Sequence, residues 1–146
     1  MAEIKFSMIP WQMPPGFKWE QKPVFKYNET PVYENDTGLS IHEMTGIDDD
    51  TFALGHYYEV RWTDKEGQAQ KRWIMFQDGP IPAEGLNGVT TEALLAMEIH
   101  RTETLNAKFP CDENELAILH MKKALEAFDA RTAKRKARGV EGQNVK

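Results

Sequence analysis

The sequence predicts an α+β fold in which an N-terminal antiparallel β-sheet is followed by a C-terminal antiparallel helical hairpin. Two strand-forming segments flank a polar turn near the middle of the chain, and helical periodicity runs through its C-terminal part. A hydrophobic content of 40% and a charged content of 28% are typical of a chain that folds. The 146 residues fit one domain, or one sheet layer with a helical appendage. We expect a sheet region at 1–89 and a helical hairpin, as a compact unit, at 90–146.

The first part of the chain, about residues 1–50, is rich in proline and aromatic residues. Most of the eight prolines lie between Pro10 and Pro31. Because proline cannot donate a hydrogen bond to a neighbouring strand, long central strands are not expected here. We predict short edge strands, including residues 24–27, whose aromatic side chains pack on the main sheet or on another subunit.

The middle of the chain predicts a β-hairpin. Segments 57–63 and 70–77 are rich in strand-favouring residues, and they flank the turn sequence Asp64-Lys65-Glu66-Gly67. Large apolar side chains alternate onto both faces of these two strands. Those on one strand are Tyr58, Val60 and Trp62, and those on the other are Trp73 and Met75 opposite Ile74 and Phe76. A sheet that is apolar on both faces needs two covers, so we expect helices on one face and a partner subunit or a ligand on the other.

A helix is predicted from about residue 90 to 107, after the strand ends at Gln77-Asp78-Gly79-Pro80. Thr90 or Thr91 is suited to cap this helix, and Glu92 in the first turn faces the positive end of the helix dipole. The apolar side of this helix is formed by Leu94, Leu95, Met97, Ile99 and Leu105.

A second, longer helix is predicted at about 113–138. Asp112 and Glu115 have the spacing of a capping box at its start. A stripe with steps of three and four residues follows, made of Ile118, Met121, Leu125, Phe128 and Thr132. Since the second helix is longer than the first, its basic end projects beyond the pair unless another subunit receives it, which indicates oligomerisation.

Residue patterns that support catalysis are missing from the sequence. The four histidines lack the spacing of metal ligands, and no nucleophile elbow or glycine-rich phosphate loop is present. The run Asp48-Asp49-Asp50 is typical of a solvated loop. Cys111 is the single cysteine, and we expect its thiol to be buried or half-buried. The sequence therefore predicts a protein that is not an enzyme and uses no metal or cofactor.

Charge and hydropathy limit the kinds of partner. The formal net charge is −5, yet residues 131–138 contain five basic residues and no acidic one. Such a cluster suits phosphate groups, whereas the overall acidity argues against binding along duplex DNA. No apolar run is long enough to span a membrane, so we expect a cytoplasmic protein. Aromatic residues, Asn87 and arginines together suit a nucleotide pocket, although each also has an ordinary structural role.

Two runs of sequence resemble a known family. FQDGPIPAEGLNGVTTEALLAMEIHR at 76–101 precedes ENELAILHMKKALEAFDARTAKRKARGVEG at 113–142. Their pieces FQ-x-GPI, NGVT-x-EALLA, EN-x-LAI and RT-x-x-R-x-ARGVEG are similar to the phage Thoeris anti-defence sponges, whose helical hairpin is shared with the phage anti-CBASS sponges. The first 55 residues align with no part of that family.

The resemblance implies a homo-oligomer built from dimers, with hexamers made of dimers, in the cytoplasm of the infected host. It implies tight, non-hydrolytic capture of cyclic ADP-ribose isomers, and in some members a second class of pocket for CBASS cyclic oligonucleotides. By the same resemblance Phe76 stacks on the ligand, Asn87 hydrogen-bonds it, and Arg101 holds a phosphate. The two C-terminal arginines, Arg131 and Arg138, are further candidates for phosphate contact at subunit junctions.

Other interpretations of these residues stay open. Phe76 also suits a core position, and Arg101 has Glu98 and Glu103 as potential ion-pair partners. Asn87 and Gly88 suit a simple turn, although backbone N–H groups just before a helix also attract anions. For the whole protein, the alternatives are a sponge for CBASS cyclic di- or trinucleotides and a structural or nucleic-acid-binding phage protein that uses the 131–138 cluster.

Overall fold

The computed structural model describes residues 25–47 and 52–140, so the predicted loop at 48–50 lies outside the described residues. The chain divides into two compact units. The sheet unit extends to Asp78 and includes 84–88, and the helical unit contains 79–83 and the chain from Val89 onwards. Its elements are β1 (Phe25–Tyr27), β2 (Tyr33–Glu34), β3 (Ser40–Ile47), β4 (Tyr57–Thr63), β5 (Ala69–Met75), α1 (Ile81–Glu84), α2 (Thr91–Lys108) and α3 (Asp112–Ala137). An antiparallel sheet followed by helices confirms the predicted α+β class.

The sheet is antiparallel throughout, with β4 between β3 and β5. β1 and β2 both pair with β3, and β2 pairs with the same end of β3 that β4 pairs with. Since one edge of that segment is taken by β4, β2 must lie along the other edge. Residues 25–27 thus form the short strand that the proline-rich composition predicts.

The hairpin of β4 and β5 confirms the prediction from strand propensity. Its register runs from Tyr57 opposite Met75 to Thr63 opposite Ala69. In the turn, the Asp64 carboxylate accepts the backbone N–H groups of Glu66 at 3.0 Å and Gln68 at 2.9 Å. Hydrogen bonds to this carboxylate, that from Gln68 foremost, lower the pKa of Asp64.

The hydrophobic core lies on one face of the sheet. Its buried members are Met44, Phe52 and Tyr57, and Phe25, Tyr27, Trp73 and Met75 pack against them. Because Tyr57 and Glu59 alternate with Tyr58 and Val60 along β4, the core is on the face opposite Tyr58. The aromatic residues of β1 pack in this core, as one of the two predicted arrangements has it.

A carboxylate is buried within this apolar face. Glu59 is 4% exposed. Its Oε2 accepts the Tyr27 hydroxyl and the Trp73 indole N–H, both at 2.6 Å, and its Oε1 accepts the Nε–H of Arg61 at 2.7 Å. Each oxygen therefore has a strong donor, which offsets the cost of removing the charge from water. The network joins β1, β4 and β5.

The helical unit is an antiparallel pair, as predicted. Near one end the Thr132 hydroxyl donates to Glu92 at 3.4 Å, and farther along Lys122 Nζ lies 2.5 Å from the Glu103 carboxylate. Thr90 caps α2, since its hydroxyl oxygen accepts the N–H of Ala93 at 3.1 Å. The half-buried residues of α3 include the predicted stripe from Ile118 to Thr132. On α2, Ile99 is buried, whereas Met97 and Leu105 are exposed.

Two predictions at the junction of the helices are wrong. Cys111, not Asp112, is the cap residue of α3, and its side chain makes no capping hydrogen bond. Asp112 is the first residue of the helix. The preceding residue is held by the end of α2, because the Cys111 N–H donates to the Asn106 side-chain oxygen at 3.0 Å. The Cys111 thiol is exposed, since this short connection lies at the surface.

Candidate ligand-binding site

Phe76 continues the ladder of β5 by one residue. Its N–H donates to the carbonyl of His56 at 2.7 Å. Its side chain is half-buried and shares the sheet face of Tyr58, opposite the core. The two rings meet edge to face, with centroids 5.8 Å apart and planes at 78°. Phe76 therefore lies outside the buried cluster, and its ring borders the second sheet face.

The segment that follows is closed by two amide side chains. Asn87 Oδ1 accepts the N–H of Asp78 at 2.8 Å, and Asn87 Nδ2 donates to the Asp78 carbonyl at 2.7 Å. Gln77 accepts the Asn87 N–H at 3.0 Å and donates to the Gly85 carbonyl at 2.8 Å. We call this closed segment, residues 77–78 and 84–88 of the sheet unit, the amide clasp.

The amide clasp is fastened to the core by a carboxylate. Asp78 accepts the hydroxyl of Tyr57 at 2.7 Å. Burial of Tyr57, together with this bond, raises the pKa of its hydroxyl above the ordinary range. After its two bonds to Asp78, the Asn87 amide retains one N–H and one lone pair. The predicted ligand-binding asparagine is thus first a structural residue with spare hydrogen-bonding capacity.

Gly88 brings the amide clasp against Phe76. A Cβ atom at Gly88 would lie 2.5 Å from the Phe76 carbonyl carbon and 2.6 Å from the carbonyl oxygens of Met75 and Phe76. Backbone atoms cannot give way as a flexible side chain does, so only glycine fits this approach. The Phe76 main chain is consequently held between His56 and Gly88.

The arginine candidates belong to the helical unit. Arg101 is exposed on α2, and in the described part of the chain it forms no ion pair. The alternative that it pairs with Glu103 is wrong, because Glu103 pairs with Lys122. Arg131 lies 3.8 Å from the Glu92 carboxylate and places its guanidinium over the Phe128 ring at 5.0 Å.

An open groove lies at the C-terminal end of α3. This basic groove is lined by alanines and cationic side chains, namely Ala127, Ala130, Arg131, Lys134, Arg135, Ala137 and Arg138. Small side chains leave room for a ligand beside the positive charges, which suits an anion. The basic groove brings Arg131 and Arg138 together, as two of the candidates named from the sequence.

The six candidates therefore form three groups. Phe76, Asn87 and Gly88 adjoin one another in the sheet unit, Arg131 and Arg138 share the basic groove, and Arg101 stands on α2. Sequence reasoning missed Tyr58 as the ring neighbour of Phe76 and Asp78 as the partner of Asn87. Both could have been suspected from strand alternation and from the glycines between Asp78 and Asn87.

Other kinds of site find no support in the described residues. Residues 25–47 and 52–140 contain no group of three or more side chains that could hold a metal ion. In the same part of the chain, no helix is both long and apolar enough to cross a membrane.

Comparison with known proteins decides the relationship. Residues 74–133 match the Acb2/Tad1 hairpin domain. Over this segment the chain is similar to the Acb2/Tad1 hairpin domain. Over 85 residues it is 41% identical to Thoeris anti-defense 1 of Bacillus phage SBSphiJ7, an alignment that covers 58% of this chain and 60% of that protein. The resemblance to the Thoeris anti-defence family is thus confirmed, and the chain matches about three fifths of the length of this relative.

The Acb2/Tad1 hairpin accounts for most of the candidate residues. The match begins within β5 and ends before the last turn of α3, so it includes Phe76, Asn87, Gly88, Arg101 and Arg131. Arg138 and the sheet before residue 74 lie beyond it. The phenylalanine, the amide clasp, α2 and most of α3 therefore lie within the matched segment.

Proposed function

We propose that this chain binds a cyclic ADP-ribose-type immune signal and sequesters it without degrading it, in the cytoplasm of the infected bacterial host. The name of the Bacillus phage relative supports an anti-defence role. The observation that carries the proposal is the half-buried Phe76 ring beside the amide clasp, inside the matched hairpin.

The chemistry of these residues suits a nucleotide. An adenine base has a π-face that stacks on an aromatic ring, with about 1–3 kcal/mol per base. The remaining N–H and lone pair of Asn87 match the polar edge of such a ligand. The guanidinium of Arg101 is exposed and forms charge-assisted hydrogen bonds with a phosphate when one is within reach. None of these groups is a nucleophile, so binding is the chemistry they offer.

Sequestration works by mass action. The protein must outnumber the signal and bind it more tightly than the host effector does. Nanomolar affinity corresponds to a binding free energy of about −12 kcal/mol. Aromatic stacking and one or two arginine–phosphate contacts supply part of this, and a preformed site lowers the cost of ordering.

A second copy of the chain is part of the proposal. The helical unit exposes large apolar side chains, namely Phe109 (74%), Met97 (56%), Leu116 (56%), Leu119 (48%) and Leu105 (40%). Several large apolar side chains exposed on one helical pair are typical of a protein interface when they lie together. We infer dimers, and hexamers made of dimers, in which these side chains are covered.

Light scattering tests this assembly. Leu116→Glu and Leu119→Glu together are expected to shift the mass in solution toward the monomer, because they place charges in the proposed interface. Lys123→Glu introduces the same side chain at another exposed position of α3 and serves as the control. A wild-type protein that is monomeric at micromolar concentration would contradict the proposal.

The binding proposal is tested by recovery of the ligand. Titration calorimetry with cyclic ADP-ribose isomers is expected to show tight binding. Heating the complex to denature the protein is then expected to release the intact ligand, which mass spectrometry identifies. Recovery of a cleaved product would contradict sequestration, and the absence of binding to any isomer would contradict the choice of ligand.

The basic groove favours a second candidate function, capture of CBASS cyclic di- or trinucleotides. Four cationic side chains beside small alanines suit a ligand with several phosphodiesters. Arg138→Ala is expected to weaken cyclic trinucleotide binding by about ten- to hundredfold and leave cyclic ADP-ribose binding unchanged. Arg101→Ala is expected to do the reverse. Strongly salt-dependent DNA binding, with no affinity for either ligand class, would instead favour a nucleic-acid-binding protein.

A further inference from the structure

We propose that Tyr58 is a positioning residue for Phe76: it holds the Phe76 ring in the orientation needed to stack on a planar base. The role in ligand binding rests on the function proposed above. Tyr58 lies on β4, within the sheet and before the matched hairpin, so neither comparison assigns it a role.

The ring is the one part of Phe76 that the backbone contacts leave free to turn. The Phe76 N–H is bound to His56, and its carbonyl is closed in by the approach of Gly88. With the main chain fixed, the side-chain torsions decide where the π-face points. Tyr58 is the aromatic contact of Phe76 within the described residues, and the two rings meet with centroids 5.8 Å apart and planes at 78°.

Tyr58 is itself held in place by its neighbours on β3 and in the loop before β4. Across the β3–β4 ladder it pairs with Glu43. The Glu43 carboxylate accepts the Asn28 side-chain N–H at 2.5 Å and the Gly55 N–H at 2.7 Å, so it joins two loops at this end of the sheet. The Tyr58 hydroxyl lies 3.9 Å from the position of a Cβ at Gly55. Burial, and then the nearby Glu43 charge, raises the pKa of Tyr58, so its ring stays neutral at assay pH.

Glu43 and Tyr58 are paired across β3 and β4, and Phe76 lies diagonally from Tyr58, two residues beyond its direct partner Ile74, on the face opposite the core. The sheet backbone fixes the positions of Tyr58 and Phe76, and the contact between their rings restricts the side-chain torsions of Phe76. A ligand that stacks on a ring already in place does not have to order it. Loss of an edge-to-face aromatic pair is then expected to weaken binding by about two- to tenfold.

Calorimetry on five variants tests this role, with cyclic ADP-ribose as the ligand. Tyr58→Leu is expected to weaken binding by about two- to tenfold, whereas Tyr58→Phe keeps the ring edge and retains affinity. In a Phe76→Leu background, Tyr58→Leu is expected to cost nothing further, because its effect passes through Phe76. Tyr33→Leu removes an exposed tyrosine of β2 on the same face and is the control. Equal losses from Tyr58→Leu in both backgrounds would overturn the proposal.

Nuclear magnetic resonance on the ligand-free protein separates this inference from the proposed function. In the wild-type chain, ring protons of Phe76 and Tyr58 are expected to show cross-relaxation, and Tyr58→Leu is expected to broaden the range of Phe76 ring orientations. The cross-relaxation in the wild-type chain is measured without a ligand and without a variant. Failure of the wild type to bind cyclic ADP-ribose would reject the proposed ligand, whereas the absence of cross-relaxation between the rings would reject the role of Tyr58.

Discussion

Replacement of Glu59 by glutamine is expected to lower the free energy of unfolding by about 2–3 kcal/mol. The glutamine side chain keeps the shape but turns one carboxylate oxygen into an NH₂ group. In the native sheet one oxygen accepts Tyr27 and Trp73 at 2.6 Å, and the other accepts Arg61 at 2.7 Å. The single amide oxygen can accept either from Tyr27 and Trp73 or from Arg61. On the other side the glutamine NH₂ group then faces a hydrogen-bond donor.

The magnitude follows from which bonds are lost. A hydrogen bond to a charged group contributes about 1.5–3 kcal/mol, and a buried donor left without an acceptor costs about 1–3 kcal/mol. Water offsets part of the loss at Arg61, whose side chain is 38% exposed. Tyr27 and Trp73 are more enclosed, so the loss is larger when the amide oxygen faces Arg61 and these two donors are left without an acceptor.

Urea denaturation followed by tryptophan fluorescence measures this change, since Trp73 belongs to the network. Glu34→Gln makes the same chemical change on exposed β2, and we expect it to stay within about 0.5 kcal/mol of the wild type. A loss below about 0.5 kcal/mol for Glu59→Gln, or equal losses for both variants, would refute the argument that the network stabilises the sheet.

The same network predicts the pH dependence. Burial by itself raises the pKa of Glu59, but hydrogen bonds from Tyr27, Trp73 and Arg61 outweigh it and lower the pKa below its ordinary value of 4.5. A depressed folded-state pKa contributes stability that is fully present above that ordinary value and is lost as the pH falls through the folded-state pKa. The stability difference between wild type and Glu59→Gln is therefore expected to shrink below about pH 4.5.

Four further variants test the amide clasp and the start of α2. Asn87→Ala removes both side-chain bonds to Asp78 and is expected to cost about 1–3 kcal/mol in urea denaturation; a neutral result would show that water replaces them. Gly88→Ala is expected to cost at least about 1–3 kcal/mol, because its Cβ meets backbone at 2.5 Å, and a stable variant with unchanged chemical shifts at Phe76 would refute this close approach. Thr90→Ala is expected to lower stability by about 1 kcal/mol while Thr90→Ser does not, and equal melting temperatures for all three proteins would contradict the cap.

Local patterns in the sequence were enough to predict the elements of the fold. Strand propensity around Asp64-Lys65-Glu66-Gly67 predicted the hairpin, and β4 spans the predicted residues. Helical periodicity predicted α2 and α3 to within about two residues at each end, which is the usual precision of such boundaries. These features depend on residues close in sequence, so a single sequence carries them. The resemblance to the Thoeris anti-defence family was likewise readable from motifs within 76–142.

The arrangement of the candidate site was only partly readable. Phe76, Asn87 and Gly88 were named from the sequence, and they adjoin one another in the structure. The hydrogen bonds of the Asn87 side-chain oxygen and NH₂ group to the Asp78 backbone were not foreseen. They depend on the path of the loop that brings these two residues, nine positions apart, together. The exposure of Cys111 was misjudged for a similar reason, since helical periodicity does not predict the path of the chain between two helices.

By itself, then, the sequence determined the element order, the hairpin, the helix pair and the family relationship. Tertiary structure alone decided which sheet face holds the core. Both faces of β4 and β5 carry large apolar residues, so alternation cannot choose between them. The choice follows from partners far apart in the chain, such as Tyr27 and Glu59, which lie 32 residues apart and meet across the sheet. Burial of that carboxylate on one face left Tyr58 and Phe76 together on the other.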